Sequence, residues 1–390
     1  MKKYYIKLAM ILFLISTWII PICAAQRHFI NVYNWGEYIS NGADGLINVN
    51  EEFTKSTGIE VNYNTFQNNE ELFAKLNGGG TDCDVVIPSD YMISRLIKNN
   101  MLSKINFDNV PNAKFINKKF KNLNFDPSNE YSVPYMWGVV GIFYNSKYVS
   151  ESENEINWDI LWNEKYKNRI LMFDNARDAF AISLLRLGYS INSNNHSHWR
   201  KAADELIKQK NIVQAYVMDQ IFDKIANEEA ILAPYYAGDA AMMLKNSQDI
   251  KFCIPKNGTN RFVDAMCIPK NSKNKENAEK YIDFMCRPDV ALANVKHTGY
   301  STPHDGAYEL LDENIKNSKI FYPDEDVLNN SQIFVNLSDE TNKYMDELWV
   351  EVKSGGVSGS AWQIVVILFV FAIIYMIIFL YKKFKNKKIN

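Results

Sequence analysis

The chain has 390 residues, 47% of them hydrophobic and 23% charged, with 45 acidic and 43 basic side chains and a formal net charge of −2. That length allows a large core and two lobes. The near-neutral total hides a division: three lysines before residue 26 and five after residue 381, with no acid in either stretch, leave −10 on residues 26–381. Such a body argues against a nucleic-acid partner and agrees with cationic ligands.

Residues 1–25 start with Lys2, Lys3 and Lys7, run apolar from Leu8 to Ile22 and end in Cys23-Ala24-Ala25. This pattern reads as an export signal peptide, with cleavage after Ala25 freeing Gln26. Lipidation of Cys23 is the alternative, and the bulk of Ile22 stands against it. His28 to Tyr33 is a predicted strand. Leu46, Val49, Asn50 and Phe53 fall at helical spacing, with Gly58 as the stop. Ile59, Val61 and Tyr63 alternate as a second strand. Asn68 caps a helix carrying Leu72, Phe73 and Leu76, Gly78-Gly79-Gly80 closes it, and Asp84 to Ile87 is a third strand broken by Pro88.

This is a βαβαβ unit. Units of that kind build parallel sheets, and ligands of open parallel sheets sit beyond the carboxyl ends of the strands. The rule points at Trp35 to Tyr38 and at Ser89-Asp90-Tyr91, with Asp90 readable either as a turn residue or as a ligand contact. The stretch Val32 to Tyr38 crowds aromatic rings and a carboxylate together. A ring face attracts an alkylammonium ion, and a carboxylate neutralises it where water is excluded.

Further along, Trp158 and Trp162 look like a packing face. His196-Ser197-His198 reads as a solvated loop rather than a metal pair, since no acidic or thiol partner follows at helical spacing. Tyr235-Tyr236 on a strand would place one ring in the core and one at an edge. Cys83, Cys253, Cys267 and Cys286 have no metal-ligand spacing and fit one disulfide or four buried thiols equally. Neither a nucleophile elbow nor an HExxH pair is present, and the glycine run lacks the Lys-Ser/Thr of a phosphate loop, so the sequence predicts no enzyme.

Lys353 to Ser360, rich in Gly and Ser, predicts a flexible tether. From Trp362 to Tyr381 runs an uncharged stretch of 20 residues. As a helix rising about 1.5 Å per residue it would span roughly 30 Å, the thickness of bilayer hydrocarbon. Trp362, Tyr375 and Tyr381 supply interfacial rings. Lys382, Lys383, Lys385, Lys387 and Lys388 place the tail in the cytoplasm and the body outside.

The chain resembles the spermidine/putrescine-binding proteins of polyamine ABC transporters from about His28 to about Lys353. The resemblance is carried in family order by YNWGEY, FTKSTGIEV, DVVIPSDY, YSVPYMWGVVGIFYN, NWDILWNEKY, FDNARDAF, LLRLGYS, YYAGDAA, KNKENAEKYIDFMCRPDVA, GYSTP and FYPD. It implies an α/β, two-lobed periplasmic-binding-protein (Venus-flytrap) fold, followed here by the C-terminal transmembrane helix. One lobe would hold residues 28–138 and 264–308, the other 139–263 and 309–354, with crossings near Tyr135 to Gly138 and Phe262 to Ala265.

By the same resemblance the ligand lies between lobes, rings walling its methylenes and carboxylates meeting its amines. Trp35, Gly36, Glu37, Tyr38, Ser89 and Tyr91 match one wall. Asp264 and Asp178 match two family carboxylates. Asn175 stands where an aspartate is expected, while Tyr236 and Phe262 replace tryptophans and keep a ring. A polar family position near Ile333 or Phe334 has no clear counterpart. Two carboxylates, with Glu37 available as a third, suit putrescine as well as spermidine. The expected partners are such an amine, the permease subunits of an ABC importer and the membrane, with no cofactor or metal. A membrane-anchored amine sensor is the alternative role.

Overall fold

A computed structural model describes residues 29–79, 82–153, 155–244 and 247–355, together with Phe369 and Ile373. The predicted leader, 1–25, and all but those two residues of the predicted membrane segment, 362–381, lie outside the described residues. Among the described residues no helix is long and apolar enough to cross a membrane.

The strands are β1 (Phe29–Trp35), β2 (Glu60–Phe66), β3 (Val85–Val86), β4 (Leu102–Ser103), β5 (Ser132–Asn145), β6 (Ile170–Phe173), β7 (Val213–Val217), β8 (Leu232–Tyr236), β9 (Ile250–Cys253), β10 (Thr259–Pro269) and β11 (Ser331–Ile333). The βαβαβ unit forms as read. Central β1 pairs in parallel with β2, Phe29 opposite Glu60 through Trp35 opposite Phe66, and with β3 on its other side, Val32 opposite Val85. Its first helix, Val49–Thr57, begins at Asn48, whose side chain accepts from Glu51 N at 3.3 Å, so Leu46 falls outside it. Gly58, at φ 73°, ends that helix in the left-handed region, which glycine enters without steric cost. The second, Asn69–Asn77, has a capping box: Asn68 accepts from Glu71 N at 2.8 Å, and Glu71 accepts from Gln67 N at 2.9 Å.

Two long strands join this unit to the rest of the chain. β10 lies antiparallel to β3 and to β5, with Phe262 opposite Gly138, Asp264 opposite Met136, and a register shift between Asp264 and Ala265. β5 changes partners along its length. Residues 132–139 pair with β10, and residues from Val140 onward pair antiparallel with β8 and β9. Beyond β8 the sheet continues in parallel through β6 to β7. Two buried clusters flank these sheets. One gathers Ile30, Val32, Val85, Ile87, Met136 and Met266 around the first sheet, and the other gathers Phe143, Phe173, Phe180, Trp158 and Trp199 around the second. The fold is thus the two-lobed α/β arrangement, with β5 and β10 running through its waist.

Local details sort the remaining expectations. Trp158 is fully buried, its Nε1 donating to Gly258 O at 2.8 Å, and Trp162 donates to Glu205 O at 3.0 Å, so both pack. The His196-Ser197-His198 loop is corrected. Asn195 caps a helix there, His196–Gln209, and the two imidazoles stack on Tyr344 (4.6 Å) and Tyr189 (3.9 Å). The missing metal-ligand partner that suggested a loop says nothing against a capped first turn, which ring stacking holds in place. Cys83, Cys253, Cys267 and Cys286 are free and buried.

At the waist, a Cβ added to Gly141 would lie 2.3 Å from Phe252 Cζ and 2.5 Å from the carbonyl of Cys253. The second of these atoms is backbone and cannot rotate away. Gly141→Ala is therefore expected to destabilise the protein by about 1–3 kcal/mol, through forced separation of β5 from β9. A urea unfolding midpoint equal to that of the parent would show that the two strands part without cost.

Candidate functional site

β1 delivers the first wall. Asn34, fully buried at its end, shapes the exit turn: its Oδ1 accepts from Trp35 N at 2.9 Å and its Nδ2 donates to Tyr38 O at 3.3 Å. Trp35 leans on Phe66 with ring centroids 4.6 Å apart. A Cβ on Gly36 would come within 2.5 Å of Asp219 Oδ2, so the absence of a side chain lets Asp219 approach from the facing wall. Glu37, at φ 48°, is exposed at the rim. Tyr38 turns inward, donating its hydroxyl to Asp264 Oδ2 at 2.8 Å while its carbonyl accepts from Tyr135 at 2.7 Å.

β3 ends at Val86, two residues before Pro88, and Ser89 precedes the helix Asp90–Lys98 and forms an isolated antiparallel bridge with Asp264. The open question at Asp90 resolves to structure. Its carboxylate is fully buried behind the wall, accepting from Tyr91 N at 2.7 Å and Val263 N at 3.2 Å. The Tyr91 hydroxyl donates to Glu70 Oε1 at 2.9 Å, and its ring packs edge-on against Phe334.

The facing wall starts at β6. Asn175 caps the helix Ala176–Arg186, accepting from Arg177 N at 3.0 Å and from Asp178 N at 3.5 Å. Asp178, in the first turn, accepts the Tyr236 hydroxyl at 2.7 Å. Tyr235 and Tyr236 close β8, the former stacked on Phe173 at 5.5 Å in the core and the latter half-buried against Phe262 at 5.4 Å. The walls meet where Tyr300 donates to Asp239 Oδ2 at 2.5 Å.

All eleven residues singled out from sequence, Trp35, Gly36, Glu37, Tyr38, Ser89, Tyr91, Asn175, Asp178, Tyr236, Phe262 and Asp264, line one cleft of about 740 Å³, its open mouth included. Sequence reasoning missed Asp219, Asp239, Tyr235 and Tyr300, which line it too. Asp239 and Tyr300 lie inside the motifs YYAGDAA and GYSTP, and an acid four residues after Tyr235 was the available signal. Asp219 had none. The third desolvated carboxylate is therefore the half-buried Asp239 rather than exposed Glu37. Phe334 reaches the cleft and Ile333 does not.

Burial governs the electrostatics. Desolvation raises Asp178 and Asp239 to about 7 and Asp264 to about 6 from an ordinary value of 3.8. Hydroxyls oppose the rise, from Tyr236 at Asp178, Tyr300 at Asp239, and Ser89 and Tyr38 at Asp264. Neighbouring acids add to it at Asp178 and Asp239. Arg177 is the nearby cation and lowers Asp178, but its Nη2 is held by Asn192 Oδ1 (2.9 Å) and Val335 O (3.1 Å), and it does not line the cleft. Asp264 Oδ1 is buried without a hydrogen-bond partner. Rings and carboxylates so arranged can take up an elongated organic cation and offer no nucleophile with a base. No group of three or more metal-ligating side chains occurs among the described residues.

Comparison with known proteins agrees with this geometry. Residues 48–323 match the family described as bacterial extracellular solute-binding protein. The spermidine/putrescine-binding periplasmic protein of Escherichia coli K12 is 34% identical over 333 residues, covering 85% of this chain and 93% of that protein. The putrescine-binding periplasmic protein SpuD of Pseudomonas aeruginosa is 31% identical over 349 residues, covering 85% of this chain and 94% of its own. Among solved structures, the spermidine/putrescine ABC transporter substrate-binding protein PotD of Streptococcus pneumoniae superposes with a TM-score of 0.69 at 34% identity, covering 84% of this chain and 99% of that one. The chain belongs to the bacterial extracellular solute-binding protein family and is a binding protein of the polyamine ABC-transporter type, not an enzyme.

Proposed function

We propose that this protein captures a polyamine, spermidine or putrescine, in the cleft by hinge closure and presents it to the permease subunits of an ABC importer. The observation that carries this reading is the trio Asp178, Asp239 and Asp264, desolvated in one cleft lined by aromatic rings. A chain of methylenes gains about 0.8 kcal/mol per buried CH₂ against such rings, and each ammonium pairs with a carboxylate. Because Asp178 and Asp264 sit on opposite walls, the ligand holds both only when the walls are close. That is the differential affinity a population shift requires. The stretch 362–381 would keep the receptor beside its transporter. That anchor rests on the sequence alone.

The site assignment is tested by titrating the full chain with putrescine and spermidine in a calorimeter. Asp264→Ala is expected to weaken binding by about tenfold or more, through loss of a desolvated charge partner. An affinity equal to the parent's, in a variant that still unfolds cooperatively, removes Asp264 from the site.

The pH dependence has a definite sign. With folded values raised from 3.8 to about 6–7, the ligand-free protein binds more protons than its unfolded chain. The contribution of these groups to stability is therefore fully present below the unfolded value of 3.8 and is lost as pH rises from there through the raised values. A bound diammonium ion demands the ionised carboxylates, so uptake should release protons. Affinity should then fall as pH drops from about 8 to about 5.5, by up to about tenfold per pH unit for each proton released. Calorimetry in two buffers of unlike ionisation enthalpy reads that release, and identical heats in both would contradict it.

A further inference from the structure

Strand β10 has two faces at the waist. Asn260, Phe262 and Asp264 line the cleft, so by the two-residue period of a strand Arg261 and Val263 face the opposite way. There they line a second cavity, of about 1050 Å³ with its mouth, behind the waist. Trp137, opposite Val263 on β5, contributes to its wall. Rings surround the Trp137 indole: Phe120 at 5.7 Å and Tyr322 at 6.0 Å, with Tyr308 a further 5.1 Å from Tyr322.

The Arg261 guanidinium is the anomaly in this setting. It is half-buried, its Nε is buried without a hydrogen-bond partner, and it forms no ion pair among the described residues. Its electrostatic partner is Asp90, whose carboxylate oxygens are already engaged by Tyr91 N and Val263 N. Asp305 at the rim accepts from Asn117 Nδ2 at 2.6 Å, and Lys119 adds a second positive charge. The Nε itself is sealed from the cavity, but the guanidinium at its wall carries a positive charge with no ion-pair partner among the described residues, and a guanidinium fork matches a carboxylate.

We infer that this rear cavity is a second ligand site, selective for a small carboxylate with an aromatic or apolar body, with Arg261 meeting the carboxylate and Trp137, Phe120, Tyr308 and Tyr322 taking the body. Its walls come from both strands of the waist, so its occupant would sit against the reverse side of the same β10 residues that frame the cleft. The site does not depend on which ligand the cleft binds.

The probe is 3-phenylpropionate, titrated into the full chain by calorimetry with the cleft saturated by putrescine. Saturable binding is expected, with 3-phenylpropionamide and acetate each at least tenfold weaker because one lacks the charge and the other the ring. Arg261→Gln should weaken the acid at least tenfold and leave putrescine affinity within about twofold. Tyr308→Ala, at an exposed position that spares the core, should weaken it about threefold and keeps the proposal testable if Arg261→Gln fails to fold. Absence of saturable binding, competition by putrescine, or an acid affinity indifferent to the Arg261 or Tyr308 change would each overturn the assignment. Loss of putrescine binding by the parent would instead count against the cleft.

Discussion

Desolvation of acidic groups is the constraint on which this molecule turns. Moving a carboxylate out of water costs several kcal/mol unless a cation or a set of donors replaces the water. Here Asp178, Asp239 and Asp264 are each given one tyrosine hydroxyl, from Tyr236, Tyr300 and Tyr38 respectively. A neutral hydroxyl offsets part of that cost and leaves the rest to be met by protonation or by a positive ligand. The tyrosines therefore have two tasks: their rings form the apolar wall, and their hydroxyls hold the carboxylates in place without neutralising them. A lysine in any of those positions would satisfy the acid and abolish the demand for a ligand.

The scaffold answers this constraint with backbone that can be trusted to stay in place. β5 and β10 run through the waist as a paired ladder, and Phe262 gains its place because the residue opposite it, Gly138, has no side chain: a Cβ there would lie 2.9 Å from Phe262 Cζ. The register shift after Asp264 breaks the pairing at the point where that carboxylate enters the cleft, as bulges next to sites often do. Helix starts do the rest. Asn175 fixes the first turn that carries Asp178, and Ser89 stands at the start of the helix that holds Tyr91.

How much of this was legible depends on whether a signal was local. The βαβαβ unit was, because Asn48 and Asn68 cap, Gly58 stops, and β1 is followed at once by its aromatic turn. Trp35 to Tyr38, Ser89 and Tyr91 were legible because they follow strand ends of that unit, whereas Asn175, Asp178, Tyr236, Phe262 and Asp264 were legible only through family motifs. The role of Asp90 was not, because its acceptance from Val263 N spans 173 residues of sequence. Asp219 escaped for the same reason: what places it is Gly36 on the facing wall, and neither residue predicts the other. His196-Ser197-His198 misled because the lack of a metal-ligand partner was read as a loop, whereas the ring partners Tyr344 and Tyr189 that stabilise it as a first turn are distant in sequence or outside that spacing.

Asn175 shows how ligand choice can be separated from architecture. Aspartate and asparagine cap helices about equally well, so the exchange implied by the family resemblance keeps the turn that positions Asp178 and removes one charge. Asp239, in the first turn of the helix Ala237–Met243, is a further carboxylate of the cleft and accepts from Tyr300 of the opposing wall. The spacing of the carboxylates sets where ammonium groups are met, and spacing is what distinguishes a diamine from a triamine of similar chemistry. Under the proposed closure Asp239 also sits on the contact between walls, so a ligand that reaches it loosens the Tyr300 hydrogen bond it replaces. Selectivity and ease of opening are then set by the same pair of side chains.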